Sequence, residues 1–174
     1  MTDNIYVFDT SSFIELERLK TYSDVFVSLW SNLEKLVNAK QLISPKKVLE
    51  DLRADLENPK AKSNALINWV KDHEKLFQDE NDQEFLNALQ RIANKYQKTW
   101  VDIDSEKNQS DPYVVALAVS KKKKLEGTLF GGKVIVVTEE DQNLNRLKIP
   151  KVCNEYGIRC LNLHQFFQAE GWKF

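Results

Sequence analysis

The sequence predicts an α/β fold, a three-layer α/β/α sandwich with a mostly parallel central sheet. Short runs of apolar, β-branched residues alternate along the chain with longer segments in which apolar residues recur at helical spacing. Parallel strands joined by helices produce this alternation, and the helices then cover both faces of the sheet. The 174 residues contain no internal repeat and match the size of one domain, so we expect a single domain over residues 1–174.

Four runs are predicted as strands. Ile5–Phe8 and Val134–Val137 are continuous apolar runs, as expected for strands that are buried on both faces. Gln41–Ile43 and Ile158–Leu163 are the two less uniform candidates. The long separations between these runs leave room for crossover helices, which parallel strands require.

Helical periodicity fills the first long separations. Apolar residues from Phe26 to Val37 predict an amphipathic helix. Ser44 is predicted as the N-cap of a second helix, with Pro45 at its first position. The patterns Leu66–Phe77 and Phe85–Tyr96 predict two more helices.

The C-terminal half continues the alternation. The polar stretch Asp102–Gln109 is predicted as a loop, and a helix is predicted to start at Ser110-Asp111-Pro112 and to run to Lys121–Lys124. Glycines at 127, 131 and 132 indicate a turn before the strand at Val134. A last short helix is predicted over His164–Gly171.

The composition is that of an ordinary globular protein, with 42% hydrophobic and 29% charged residues. The net charge of −1 gives no general attraction to nucleic acid, so any RNA binding would depend on local basic patches. The first residues lack the basic and apolar regions of a signal peptide, and no apolar run is long enough to cross a membrane. We therefore expect a cytoplasmic protein without membrane contact, whose two cysteines, Cys153 and Cys160, are reduced.

Four acidic residues are predicted to meet at one edge of the sheet. Asp9 directly follows the first strand, and Glu140 follows the strand at Val134–Val137. The carboxyl ends of parallel strands share one edge, where ligands bind in such folds. Glu50 lies in the second turn of the helix that follows the second strand. Asp111 begins a helix that runs antiparallel to the strands, so its N-terminus returns to the same edge.

Each of these acids also has an explanation that involves no site. Asp9 and Asp111 are typical N-cap residues, and Glu50 and Glu140 could be solvated or could complement a helix dipole. Their joint placement at one edge favours a site. Clustered carboxylates repel one another unless a cation lies between them, and a hard divalent ion is the expected occupant. Such an ion would activate water and neutralise phosphate charge during phosphodiester cleavage.

In this order the residues resemble the PIN domain over nearly the whole chain, from about residue 4 to about residue 166. The resemblance rests on Asp9-Thr10-Ser11 after a strand, Val48-Leu49-Glu50 in a helix, Asp111-Pro112 at the start of an Ala-rich helix, and Thr138-Glu139-Glu140 after a strand. The family includes the toxin ribonucleases of VapBC-type toxin–antitoxin pairs. The resemblance implies Mg²⁺- or Mn²⁺-dependent cleavage of single-stranded RNA.

The resemblance also implies roles for individual residues. The catalytic and metal-binding acids would be Asp9, Glu50, Asp111 and Glu140, and the small polar residues that position substrate would be Thr10, Ser11 and Thr138. The implied partners are single-stranded RNA, a cognate antitoxin and a second copy of the chain in a homodimer. The fourth acid is Glu where the family commonly has Asp, so Glu139 and Asp141 stay open as alternatives, and Ser11 stands where Asn is frequent.

Basic residues add a further expectation. Lys46 and Lys47 begin the helix that carries Glu50, so they are predicted to contact the phosphate. Lys121–Lys124 is predicted instead to be a solvated helix end, far from the acids. A dehalogenase-type phosphatase would need an acid at position 11, where this chain has Ser11, and a receiver domain would need paired acids after the first strand, where only Asp9 is present. Both of these classes are therefore disfavoured. The remaining alternative is a PIN-like module that binds RNA or a protein partner and cuts weakly.

Overall fold

A computed structural model of the protein describes residues 3–20, 26–56, 65–79, 81–96, 100, 110–126 and 132–173. The predicted loop at 102–109 and most of the predicted glycine turn lie outside these residues. None of the helices in the described ranges has the length and apolar character needed to cross a membrane.

The centre of the fold is a five-stranded sheet in which every pairing is parallel, in the order β3-β2-β1-β4-β5. The strands are β1 (Ile5–Phe8), β2 (Leu42–Pro45), β3 (Phe77–Gln78), β4 (Val134–Val137) and β5 (Arg159–Leu161). β1 lies in the middle and pairs with β2 and β4. Its last residue, Phe8, is opposite Val137, the last residue of β4. Asp9 and Thr138 therefore leave the sheet side by side.

Eight α-helices surround this sheet in the described part of the chain. They are α1 (Thr10–Lys20), α2 (Val27–Asn38), α3 (Lys46–Leu56), α4 (Ala65–Asp72), α5 (Gln83–Tyr96), α6 (Asp111–Glu126), α7 (Ile149–Glu155) and α8 (Leu163–Ala169). A 3₁₀ turn, Glu74–Leu76, leads into β3.

The helices form a layer on each face of the sheet, as the sequence predicts. Alternate residues of a strand point to opposite faces, and Tyr6 and Phe8 of β1 point to the same one. There they pack against Phe166 of α8, with ring centroids 4.7 and 5.3 Å apart, and Phe8 also meets Phe13 of α1. On the other face, α6 packs against β1, β2 and β4 and against its neighbours α5 and α7. The three-layer α/β/α sandwich is confirmed.

Two local predictions are wrong, and one helix was missed. Ser44 is not an N-cap: it lies in β2, which continues through Pro45, and α3 begins one residue later. Phe77 was predicted in a helix but lies in β3, where it pairs with Ser44 of the neighbouring strand. The helix α7 was not predicted at all. The two cysteines are free, with Cys153 buried in α7 and Cys160 half-buried in β5.

Candidate active site

Asp9 occupies the centre of the predicted site and is almost fully buried, at 3% exposure. The backbone N–H of Thr10 donates to Oδ1 at 2.7 Å, and the hydroxyls of Ser11 and Thr138 donate to Oδ2 at 2.7 and 3.0 Å. Burial raises the pKa of Asp9, and these hydrogen bonds act in the opposite direction by stabilising the carboxylate. The geometry fixes the orientation of the carboxylate. Ser11 and Thr138 were predicted to position substrate, and in the structure both contact Asp9 directly.

Buried serine hydroxyls hold the strand ends around Asp9. Ser12 donates to the carbonyl of Val137 at 2.8 Å, and Ser44 donates to the carbonyl of Phe8 at 2.7 Å. The hydroxyl of Ser110 lies 3.2 Å from that of Thr10, which links the start of α1 to the start of α6. Sequence reasoning missed these supporting roles. Their signal is a small hydroxyl residue beside each strand end, which the sequence alone cannot distinguish from a helix cap.

Asp111 is the first residue of α6 and is half-buried. No described residue donates a hydrogen bond to its carboxylate. Its pKa is raised from 3.8 to about 8, chiefly by burial and then by the negative charges of Asp9, Glu140 and Asp51. Asp9 and Glu140 thus lie close enough to Asp111 for their charges to act on it, in line with the predicted placement of these three acids at one edge of the sheet. A carboxyl with this pKa is mostly protonated at neutral pH unless a cation joins it.

Glu140 is held beside these acids by the start of α7. Its Oε2 accepts the backbone N–H of Ile149 at 2.8 Å, and its Oε1 lies 3.5 Å from Nζ of Lys148. Burial is the largest influence and raises the pKa of Glu140, while Lys148 and the Ile149 N–H lower it. The peptide N–H therefore fixes one end of the carboxylate, and the other end faces Lys148.

The two alternative fourth acids are engaged elsewhere. Glu139 accepts the backbone N–H of Leu163 at 2.7 Å, at the start of α8. Asp141 accepts the backbone N–H of Asn143 at 3.1 Å and pairs with Arg146 at 3.7 Å. Neither is among the main charges acting on Asp111, whereas Glu140 is. The geometry favours Glu140.

On α3 the structure singles out a residue that sequence reasoning passed over. The predicted acid, Glu50, has a side chain that is 64% exposed and forms an ion pair with Lys47 at 2.8 Å. Its neighbour Asp51 is half-buried, and the charge of Asp51 raises the pKa of Asp111. Adjacent helical residues point about 100° apart, so only a structure decides which one faces the site. We call Asp9, Asp51, Asp111 and Glu140 the acid cluster.

The predicted phosphate contacts, Lys46 and Lys47, lie at the start of α3, next to the acid cluster. Lys46 forms an ion pair with Asp79, and Lys47 forms one with Glu50. The pKa of Lys47 is raised chiefly by its hydrogen bond with Glu50, and the negative charge of Asp51 acts in the same direction. Both lysines are thus placed at the rim of the site.

The run Lys121–Lys124 is built into the helical layer. Lys122 donates to the carbonyls of Tyr156 and Gly157 at 3.0 and 3.1 Å, beyond the end of α7. The next two lysines pair with residues at the start of α5, namely Lys123 with Glu84 at 2.7 Å and Lys124 with Asp82. Burial lowers the pKa of Lys121, the remaining member of the run. The run therefore connects α6 with the end of α7 and with the start of α5.

The acid cluster offers carboxylate oxygens, the type of ligand that hard divalent ions prefer. In the described ranges, no group of three or more His, Cys, Asp or Glu side chains is arranged to hold a metal ion directly. Mg²⁺ usually takes only one or two carboxylates and keeps several waters. Among the described residues none is seen to donate a hydrogen bond to the Asp111 carboxylate, which therefore keeps lone pairs for a ligand, and Oδ1 of Asp9 accepts the Thr10 N–H. The residues present fit an ion held by two carboxylates and water.

A cleft in the surface lies away from the acid cluster. Its volume is about 350 Å³, and it is lined by residues at the amino ends of β4 and β5, among them Val134 and Arg159, and by the end of α6 near Lys122. The acid cluster lies at the carboxyl ends of the strands, the opposite edge of the sheet. We assign the candidate site from its chemistry, because the cleft contains no comparable group of interacting acids.

Comparison with known proteins identifies one family. Searches of curated proteins and of solved structures found no match. Residues 6–174 match the family described as "Domain of unknown function (DUF4411)", which covers nearly the whole chain and includes every member of the acid cluster. The chain therefore belongs to the family described as "Domain of unknown function (DUF4411)".

Proposed function

We propose that this protein is a metal-dependent endoribonuclease that uses the acid cluster to hydrolyse phosphodiester bonds in single-stranded RNA. The observation that carries the proposal is the state of Asp111. Its carboxyl group is acted on by the charges of Asp9, Glu140 and Asp51 and receives no hydrogen bond from a described residue, and its pKa is raised to about 8, chiefly by burial. A protein that leaves carboxylates repelling one another in this way gains free energy when a cation binds between them.

Mg²⁺ or Mn²⁺ fits this donor set, with Asp9 and Asp111 as direct ligands and Glu140 and Asp51 acting through water. When bound, such an ion supplies an activated water and neutralises charge on the phosphate. The protein's own contribution is to hold the acids in position. Ser11, Thr138 and the Thr10 N–H orient Asp9, and the Ile149 N–H orients Glu140.

RNA as substrate is supported by the resemblance to PIN domains and by the basic residues at the rim of the site. Lys46 and Lys47 begin α3 beside Asp51, where the phosphate of a bound strand would approach the acids. With its net charge of −1, the protein would rely on these local charges for binding. By the same resemblance we propose a cytoplasmic toxin ribonuclease, with a cognate antitoxin and a homodimer as its assemblies.

The test is cleavage of assorted single-stranded RNAs with Mg²⁺ or Mn²⁺, compared with a chelator control. The change Asp111→Asn should reduce the rate by a hundredfold or more, on the order of 3 kcal/mol of lost stabilisation. Glu126→Gln is the matched control, because Glu126 is an exposed acid at the opposite end of the same helix. If wild type and Asp111→Asn cleave equally fast, the acid cluster is not the active site.

The second candidate is a PIN-like module that binds RNA or a protein partner without efficient cleavage. It is favoured by one observation, that the described acids contain no ready-made group of three metal ligands. The same experiment separates the two functions when RNA binding is measured beside cleavage. Wild-type protein that binds RNA but leaves it intact under all metal conditions would support the module.

A further inference from the structure

Lys148 forms an ion pair with Glu140, a member of the acid cluster. Its Nζ lies 3.5 Å from Oε1 of Glu140, whereas charged hydrogen bonds of this type are usually about 2.7–2.9 Å long. The other oxygen of Glu140 is held at 2.8 Å by the peptide N–H of Ile149. Glu140 therefore keeps its position without Lys148, and the contact between the two side chains is loose.

The charge of Lys148 also reaches a second acid. It lowers the pKa of Asp111, opposing the effect of the neighbouring carboxylates. Among the described residues near this edge, Lys46 forms an ion pair with Asp79, Lys47 with Glu50 and Arg146 with Asp141, and the charge of Asp51 also acts on Lys47. The ammonium group of Lys148 thus lies where negative charge from the protein and from a bound phosphate would meet.

We propose that Lys148 binds a phosphate oxygen of the RNA next to the acid cluster, exchanging its loose contact with Glu140 for the substrate. This inference rests on the proposed function. The side chain of Lys148 is 38% exposed. Its flexible four-carbon stem carries an ammonium group with three N–H donors, so this group can turn towards a ligand. Once a divalent ion offsets the charge of Glu140, the phosphate becomes the stronger partner for the ammonium group.

Lys148 could bind phosphate or could only hold Glu140 in place, and these two roles predict different results. A residue that binds phosphate contributes to RNA affinity and to its salt dependence, and its removal leaves metal affinity intact. A residue that only holds Glu140 contributes to metal affinity and leaves the salt dependence of RNA binding unchanged. The KM of cleavage should rise in the first case, and kcat should fall alone in the second.

The experiment measures binding of a fluorescent single-stranded RNA of a few nucleotides, at one fixed Ca²⁺ concentration and several NaCl concentrations. Lys148→Ala should bind about tenfold more weakly than wild type at low salt. The slope of log affinity against log salt should fall by about 0.7, the value for one phosphate contact with a single strand. Lys148→Arg should restore both, since it keeps the charge.

Lys151→Ala is the matched control, because Lys151 lies in α7, three residues after Lys148 at the N-cap of that helix, and its charge acts on Glu155. Mn²⁺ binding to the RNA-free protein should be equal in Lys148→Ala and wild type. The inference is overturned if Lys148→Ala binds RNA like Lys151→Ala, if it loses Mn²⁺ affinity instead, or if wild type does not bind the RNA. Wild type that binds Mn²⁺ and RNA but never cleaves would contradict the proposed nuclease and leave this contact supported.

Discussion

At the level of single residues, Asp111 is a half-buried acid that receives no hydrogen bond from the part of the chain that the structure describes. Its pKa in the folded protein, about 8, lies far above the ordinary value of 3.8. Between these two values the folded protein holds a proton that the unfolded chain has released. The free energy of unfolding must therefore fall as pH rises through this window, by at most about 1.4 kcal/mol per pH unit from this group.

We expect Asp111→Asn to remove this dependence. In the presence of a chelator the variant should be more stable than wild type near pH 8, and the two proteins should converge near pH 4. The difference should grow across the window and level off above it. Urea unfolding at several pH values checks this, with Glu126→Gln as the control. A constant difference at every pH would show that Asp111 titrates normally.

The choice between Glu50 and Asp51 is a second question at this level. The charge of Asp51 acts on Asp111, and Glu50 is exposed and paired with Lys47. We expect Asp51→Asn to slow metal-dependent cleavage at least tenfold more than Glu50→Gln does. The measurement is kcat/KM for one short RNA with both variants at equal Mn²⁺. A larger loss in Glu50→Gln would return the role to the residue that the sequence indicates.

At the level of elements, the lysine run of α6 and the lysines of α3 have different surroundings. Lys123 and Lys124 pair with the start of α5, and Lys123 lies twelve residues from Asp111, about 18 Å along the helix. Exposed charges at such a distance are largely screened at physiological salt, where the Debye length is about 8 Å. The α6 lysines should therefore matter for packing more than for RNA.

We expect Lys46→Ala/Lys47→Ala to weaken binding of a short RNA more than Lys123→Ala/Lys124→Ala does. The second pair should instead lower the free energy of unfolding by about 0.4–2 kcal/mol, the usual range for two partly exposed ion pairs. Anisotropy and urea unfolding on the same samples separate the two effects. The placement of the RNA would be wrong if the α6 variant were the weaker binder.

The elements also show why some predictions succeeded. β1 and β4 were predicted at their observed bounds because continuous apolar runs are required of strands buried on both faces. β3 has only two residues and exists through its pairing with Ser44 and Pro45, which no local pattern encodes. The seven residues of α7 have no side-chain cap and too few turns to display a period. The placement of Asp9, Asp111 and Glu140 at one edge of the sheet could be predicted because topology determines it, whereas the placement of Asp51 depends on the rotation of α3 about its axis.

At the level of the whole molecule, metal binding should be visible as stability. An ion that binds only the folded state at about 100 times its dissociation constant adds about 2.7 kcal/mol. For a domain of this size we therefore expect Mn²⁺ to raise the melting temperature by about 5–10 °C. Asp9→Asn should abolish the shift, since it removes a direct ligand.

The control for this measurement is Asp141→Asn, which removes an acid from the same edge that already pairs with Arg146 and accepts the Asn143 N–H. It should keep most of the shift. A melting temperature that stays the same with millimolar Mn²⁺ and Mg²⁺ in wild-type protein would argue against any metal site in the acid cluster.

The parallel pairing of β1 with β4 has a consequence for the order of synthesis. The neighbours of Asp9 on the sheet edge, Thr138 and Glu140, are made some 130 residues after it, on the order of ten seconds later at typical rates of translation. Until then β1 lacks a partner on one side, and Asp9 lacks one of its hydrogen-bond donors. Under the proposed function, a ribosome-bound chain would be unable to cut RNA, including its own message, until β4 and the residues that follow it had been made.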